Sequence, residues 1–304
     1  LLSLGIKNYK IMQNNSINTN YKDLFVASID IGTNSTHLLV AQINSDLKSF
    51  TIKFTEKSTT RLGERDDDGN LTEEAIDRVI ETLKRFKEYC ISYRVSKILA
   101  AATSAVRESP NGRDLIKRVR ENIGITIELI SGAEEARLIY LGVLSGMSLG
   151  NESHIICDIG GGSTELILAN SKDTRALTSS RIGAVRLKND FFQDEPLTNS
   201  RLDFIKTFIQ GSLEPSIGKI KRRLDKNESI SMIATSGTAI ALGNLISSDL
   251  GEPKQKMHGY KFEKSNLEDL LSKLIKLTPF DLRKIPSLSE RRSEIIIPGG
   301  LILN

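Results

Sequence analysis

Cysteine is scarce in this chain of 304 residues: only Cys90 and Cys157 occur, each inside an apolar pattern. Neither belongs to a redox or zinc spacing, which excludes disulfide scaffolds, thiol redox motifs and Cys-based metal sites as organising principles. Two reduced, buried thiols in a cytoplasmic protein are the expectation. Charge of one sign is lacking too, since 42 Lys+Arg face 38 Asp+Glu for a formal net charge of +4. So weak a field suits anionic small molecules or polyanions. It does not nominate nucleic acid, and none is expected as a partner. The opening LLSLGIKNYKIMQNNSINTNYKD is rich in Asn and has no long apolar core, so neither a membrane span nor a signal peptide is read from it. Residues 1–22 read as a flexible polar leader, with Met12 a candidate initiator.

What is present is an internal echo. IDIGTNSTHLLV (29–40) and CDIGGGSTELIL (157–168) pair Asp30 with Asp158, Ile31 with Ile159 and Gly32 with Gly160. The pairing continues through Ser35 with Ser163, Thr36 with Thr164 and Leu38 with Leu166. A repeat at that distance implies two related domains, and the length suits two cores. The expected domains are 23–148 and 149–304, both α/β. In the first, LFVASIDIG, THLLVAQIN and SFTIKFTE read as a three-strand meander. LTEEAIDRVIETLKRFKEYC reads as a helix capped by Thr72, followed by strand KILAAAT, a short helix from Gly112 through Asn122, strand ITIELI and helix GAEEARLIYLGVL. The second restarts with HIICDIG, TELILAN and TRALTSSRI, then SMIAT running into helix AIALGNLI. Units of this β-β-β-α-β-α kind would set each glycine turn at the end of its sheet, facing a cleft between the domains.

The turns suggest phosphate. Glycine lets backbone N–H groups approach an anion closely, and Gly160, Gly161 and Gly162 supply that freedom, with Ser163 and Thr164 adding hydroxyls. Gly32, Thr33, Asn34 and Ser35 do the same less permissively. The Lys of G-x-x-x-x-G-K-[ST] is missing, Glu165 stands where G-x-G-x-x-G needs its last glycine, and both turns lead into strands rather than helices. A plain pair of hairpin turns is the competing reading for one copy, and two copies with an Asp before each favour phosphate. Asp30 and Asp158 are apolar-flanked carboxylates that would be costly unpaired, so Mg²⁺ held partly through water is a reasonable partner, with Glu165 a further ligand. His37, the counterpart of Glu165, reads as a packed or hydrogen-bonded histidine.

Asp30-Ile-Gly-Thr-Asn-Ser35, Ser131-Gly-Ala-Glu-Glu-Ala136 and Asp158-Ile-Gly-Gly-Gly-Ser-Thr-Glu165 together resemble the signature of the exopolyphosphatase and guanosine pentaphosphate phosphohydrolase family. The resemblance runs from Leu24 through ATSAVRES (102–109), SSRIGAVRL (179–187), ATSGTA (234–239) and the final IIIPGG. It implies two actin/hexokinase/Hsp70-like (RNase H-like) domains with an interdomain cleft, and Mg²⁺-assisted removal of a terminal phosphate from inorganic polyphosphate or from guanosine pentaphosphate (pppGpp). It also makes Glu135 the catalytic carboxylate. Glu134 is already explained as part of an S-x-x-E capping box with Ser131, whereas Glu135 projects roughly 100° away along the helix. Arg107 matches a phosphate-holding arginine, against a plain salt bridge with Glu108. Ser236, Gly237 and Thr238 could bind another phosphate or a nucleoside, or merely cap a helix. The basic run Lys219, Lys221, Arg222 and Arg223 reads better as a solvated helix face than as a polyanion guide. A kinase of the same fold and a noncatalytic nucleotide-binding module are the remaining alternatives, and a homodimer is left open. Because the chain stops at PGGLILN, where family members normally continue into a further helix, the second domain is expected to be truncated.

Overall fold

The computed structural model describes residues 24–44, 49–192, 197–226, 228–253 and 255–304; the expected leader lies outside them. The chain divides into two compact units between Met147 and Ser148.

In the first unit, β1 (Leu24–Ile31), β2 (Thr36–Asn44) and β3 (Ser49–Ser58) form the antiparallel meander, with a register shift between Val40 and Ala41. Helix α1 (Glu73–Ser92) begins where the Thr72 hydroxyl accepts the N–H of Ala75, and Glu73 and Glu74 suit the positive end of its dipole. Its stripe of Ile76, Val79, Leu83 and Phe86 is buried against the sheet, each such side chain contributing roughly 1.5–3 kcal/mol. Strand β4 (Lys97–Ala102) then returns parallel to β1. Helices α2 (Ser104–Arg107) and α3 (Gly112–Ile123) follow, the latter stopped by Gly124 at φ 74°, where a side chain would be strained. Strand β5 is only Ile127–Leu129, and α4 covers Gly132–Gly146. The sheet order is β3-β2-β1-β4-β5.

The second unit repeats the plan. β6 (Ser153–Ile159), β7 (Thr164–Ala169) and β8 (Thr174–Ser180) are antiparallel, and α5 (Ala184–Phe191) and α6 (Asn199–Lys221) lead to β9 (Ile230–Thr235), which lies parallel to β6. The order β8-β7-β6-β9 matches β3-β2-β1-β4, so the sequence echo is an echo of topology. Helices α7 (Ser236–Asp249), α8 (Lys264–Leu274), α9 (Pro279–Arg283), α10 (Glu290–Ser293) and α11 (Ile296–Leu303) complete a core around Leu168, Ile182, Leu187, Ile205, Leu242 and Ile296. Helices α5, α6 and α8 to α11 were not anticipated individually from the sequence.

The basic run at the end of α6 is exposed, and two of its members bond to their own sheet: Lys219 Nζ donates to the Leu177 carbonyl at 2.9 Å and the Arg223 guanidinium to that of Arg175. They cover the outer strand β8 and blunt its free edge. Among the described residues, no helix is long and apolar enough to cross a membrane.

Candidate active site

Each turn is held by its carbonyls. In the second unit the N–H of Gly160 closes the turn onto the Ser163 carbonyl at 2.9 Å. The carbonyl of Gly160 accepts from Ala184 N at 2.9 Å, and that of Gly161 accepts from Val185 N and Arg186 N at 2.9 and 3.0 Å. Arg186 Nε reaches the Gly162 carbonyl at 3.2 Å. A trans peptide points its C=O and the following N–H in opposite directions. Pinning three successive carbonyls toward α5 therefore turns the N–H groups of Gly161, Gly162 and Ser163 the other way. None of the three donates to a protein acceptor among the described residues. Backbone amides aimed together in this manner form an anion-binding concavity.

The first unit uses the same device with fewer pins. Gly32 N bonds to Ser35 O at 3.1 Å, the Thr33 carbonyl accepts from Gly63 N at 2.8 Å, and that of Asn34 from Arg61 N at 3.0 Å. The amides of Asn34 and Ser35 are thereby turned away from Gly63 and Arg61. Gly32 and Gly160 are not in the left-handed region; what they require is space, since a Cβ at either would sit 3.1 Å from the closing carbonyl oxygen. Two hydroxyls expected at the phosphate are otherwise engaged. Thr164 Oγ1 donates to Ile182 O at 2.6 Å in a fully buried position, and Thr33 Oγ1 pairs with Ser104 Oγ at 3.0 Å. Thr164 ties the turn to the segment before α5, so its side chain is withdrawn from the ligand side.

Behind the glycine turn of the second unit one row of side chains crosses all four strands. Ser179, Glu165, Asp158 and Thr235 are successive register partners, and directly opposed residues share a sheet face. Glu165 is 1% exposed and accepts from Ser179 Oγ at 2.7 Å. Burial raises Asp158 above the ordinary carboxylate range, opposed by the nearby Thr235 hydroxyl; that Oγ1 is buried and completes no well-formed hydrogen bond. The corresponding row of the first unit is Lys57, His37, Asp30 and Ala101. There the carboxylate is single, with the imidazole of His37 beside it and Lys57 one strand further out, and His37 is exposed.

Two neighbouring carboxylates and an orphaned hydroxyl are a donor set that a hard divalent cation fits. No group of three or more His, Cys, Asp or Glu side chains able to hold a metal ion occurs among the described residues. Mg²⁺ characteristically takes one or two carboxylates and completes its shell with water and phosphate oxygens.

Ser131 caps α4 by accepting the N–H of Glu134 at 3.2 Å, while the Glu134 carboxylate is gripped by Arg137 through two 2.7 Å bonds. Glu135 points elsewhere, as the helical rotation requires. It meets Arg107, whose Nη1 lies 3.3 Å from Oε2 and also donates to the Ile130 carbonyl at 2.8 Å. The expected alternative partner for Arg107, Glu108, is replaced by the residue proposed for catalysis.

At the start of α7, Ser236 takes φ 84°, a left-handed conformation unusual for a residue with a side chain. Its Oγ accepts from Thr238 N at 3.2 Å. Arg292, absent from the sequence-derived candidates, donates to Thr238 Oγ1 at 3.3 Å and lies so close that a Cβ at Gly237 would collide with it. It has no acidic partner among the described residues, and burial pushes its guanidinium pKa down. The other unanticipated contributors are Arg61, Gly63, Gly183 and Arg186; only the SSRIGAVRL match pointed toward the last two.

The chain is 33% identical over 302 residues to a bifunctional 3-dehydroquinate synthase/phosphatase of Fusobacterium nucleatum, covering 93% of this chain but 43% of that protein. It therefore spans less than half of that relative. Exopolyphosphatase 1 of Mycobacterium tuberculosis is 29% identical over 280 residues, covering 90% of this chain and 78% of that one. The crystal structure of an exopolyphosphatase from Cytophaga hutchinsonii superposes with a TM-score of 0.83 at 29% identity, covering 92% and 88% of the two chains. The Aquifex aeolicus Ppx/GppA family member does so with 0.74 at 26%, covering 92% and 88%. Both units are α/β, and with a family match running from residue 39 to residue 304, the chain belongs to the Ppx/GppA phosphatase family.

Proposed function

We propose that this chain is an exopolyphosphatase, hydrolysing the terminal phosphoanhydride bond of inorganic polyphosphate. The observation that carries the reading is the trio of amides at Gly161, Gly162 and Ser163, turned away from α5 by three pinned carbonyls. They are donors for the oxygens of a terminal phosphate, with Ser163 Oγ a further one, and the amides of Asn34 and Ser35 make a second such set within the first unit. Preorganised N–H groups favour the charge that develops on a transferring phosphoryl group and need little rearrangement as it does. Glu135 accepts a proton from the attacking water, its carboxylate oriented by Arg107. Asp158 and Glu165 would hold Mg²⁺, which when bound neutralises phosphate charge. A polyphosphate leaving group is already stable as an anion, so no strong general acid is required.

Support for polyphosphate over guanosine pentaphosphate comes from the exopolyphosphatases among the relatives. The test is phosphate release from long-chain polyphosphate and from guanosine pentaphosphate in parallel, each with Mg²⁺ present and absent. The proposal expects Mg²⁺-dependent release, faster from polyphosphate and without any acceptor alcohol. A clear preference for guanosine pentaphosphate would move the assignment to that substrate, and release only with an acceptor would make the protein a kinase.

A further inference from the structure

Three glycines in a row have no conformational preference of their own, so the order of the turn at Gly160–Gly162 must come from outside it. Two of its three pinned carbonyls are held by main-chain donors, which almost any residue at 184, 185 or 186 would supply. The third, that of Gly162, is held by a side chain, Arg186 Nε. That bond sets the peptide plane between Gly162 and Ser163 and hence the direction of the Ser163 N–H. The segment carrying Arg186 is itself firmly seated, with Ala184 1% and Leu187 0% exposed.

Gly183 makes the close approach feasible. A Cβ there would lie 2.5 Å from the carbonyl carbon and oxygen of Gly161 and 2.6 Å from the nitrogen of Gly162, all backbone atoms that cannot swing aside. Its own backbone is extended, at φ −150° and ψ 165°, a conformation open to any residue. Glycine is thus needed at 183 because the turn rests on it.

We propose that Gly183 and Arg186 are positioning residues for phosphate binding: the start of α5 is a clamp that aims the turn's amides, and Arg186 acts through the Gly162 carbonyl rather than by touching phosphate. The inference rests on the function proposed above.

Arg186→Gln keeps an N–H donor able to reach the Gly162 carbonyl and removes the charge, whereas Arg186→Leu removes both. In the full chain, Arg186→Leu is expected to weaken binding of inorganic phosphate about tenfold by calorimetry and to lower kcat/KM on polyphosphate by at least as much. Arg186→Gln should recover most of both. Gly183→Ala should resemble Arg186→Leu. A leucine variant that binds phosphate like the parent overturns the proposal. So does a glutamine variant as poor as the leucine one, which would mark Arg186 as a direct charge contact. If the parent protein binds phosphate yet hydrolyses neither substrate, the functional reading fails while the binding series still decides the clamp.

Discussion

Arg107 Nη1 lies 3.3 Å from Glu135 Oε2, joining the last residue of α2 to the first turn of α4. With side chains only 23% and 16% exposed, the pair is shielded enough from water to matter more than a surface ion pair. Glu135→Gln keeps the shape and most hydrogen bonding but removes the proton acceptor. Its expected cost is a fall in kcat of about 10²–10⁴, roughly 3–5 kcal/mol of barrier, with the melting temperature little changed. Steady-state phosphate release checks this, and undiminished turnover would remove Glu135 from the mechanism. Because Arg107 and Glu135 act as one unit, the double variant Arg107→Gln/Glu135→Gln should lose less than the sum of the single losses.

The two sheet rows differ in charge, and that difference orders a second set of variants. Asp158 and Glu165 stand side by side, whereas Asp30 shares its row with His37 and Lys57. Glu165→Gln and Asp158→Asn should each raise the Mg²⁺ concentration for half-maximal phosphate release by tenfold or more. Asp30→Asn should change it less. Chelation with EDTA should abolish release while leaving far-ultraviolet circular dichroism unchanged. Equal effects at all three positions would contradict the assignment of the cation to the second unit.

The thiols supply a third test. Burial pushes Cys157 up to about 12, with the negative charges of Asp158 and Glu165 adding to it, and burial likewise brings Cys90 to about 11. The thiolate is the nucleophile, so at pH 8 neither cysteine should react appreciably with a chromogenic disulfide reagent until denaturant is added, when both should. Rapid labelling of the native protein would contradict the burial of these thiols.

The strands and their aspartates were legible because both carry a local signal. Period-two apolar patterns and a repeated Asp-Ile-Gly preceded the observed register of Asp30 with His37 and of Asp158 with Glu165. The caps at Thr72 and Ser131 were legible for the same reason, since donor and acceptor lie three residues apart. What the sequence could not disclose depends on contacts far apart along the chain. Arg107 and Glu135 are 28 positions apart and meet only after β4 and β5 pair. Thr164 looked like a ligand until the chain returned 18 residues later to present the Ile182 carbonyl. Arg292 reaches Thr238 across 54 positions through helix packing that no local pattern announces.

A fourth prediction concerns acid stability. Arg175 on β8 binds Glu228, just before β9, at 2.6 Å and also donates to Ser153 at 2.8 Å. The Arg175 bond, with help from Ser153, lowers Glu228 from an ordinary 4.5 to about 2. A carboxylate depressed in the folded state binds its proton more readily when unfolded, so its stabilisation is complete above about 4.5 and fades as pH falls toward about 2. Glu228→Gln should therefore lower the urea midpoint at pH 7, and the gap to the parent should shrink through pH 4 and 3. Arg175 remains charged throughout, so the change would belong to the carboxylate alone. Urea titrations of both proteins across that range measure it, and a gap that stays constant with pH would show that Glu228 acts by packing and not by its charge.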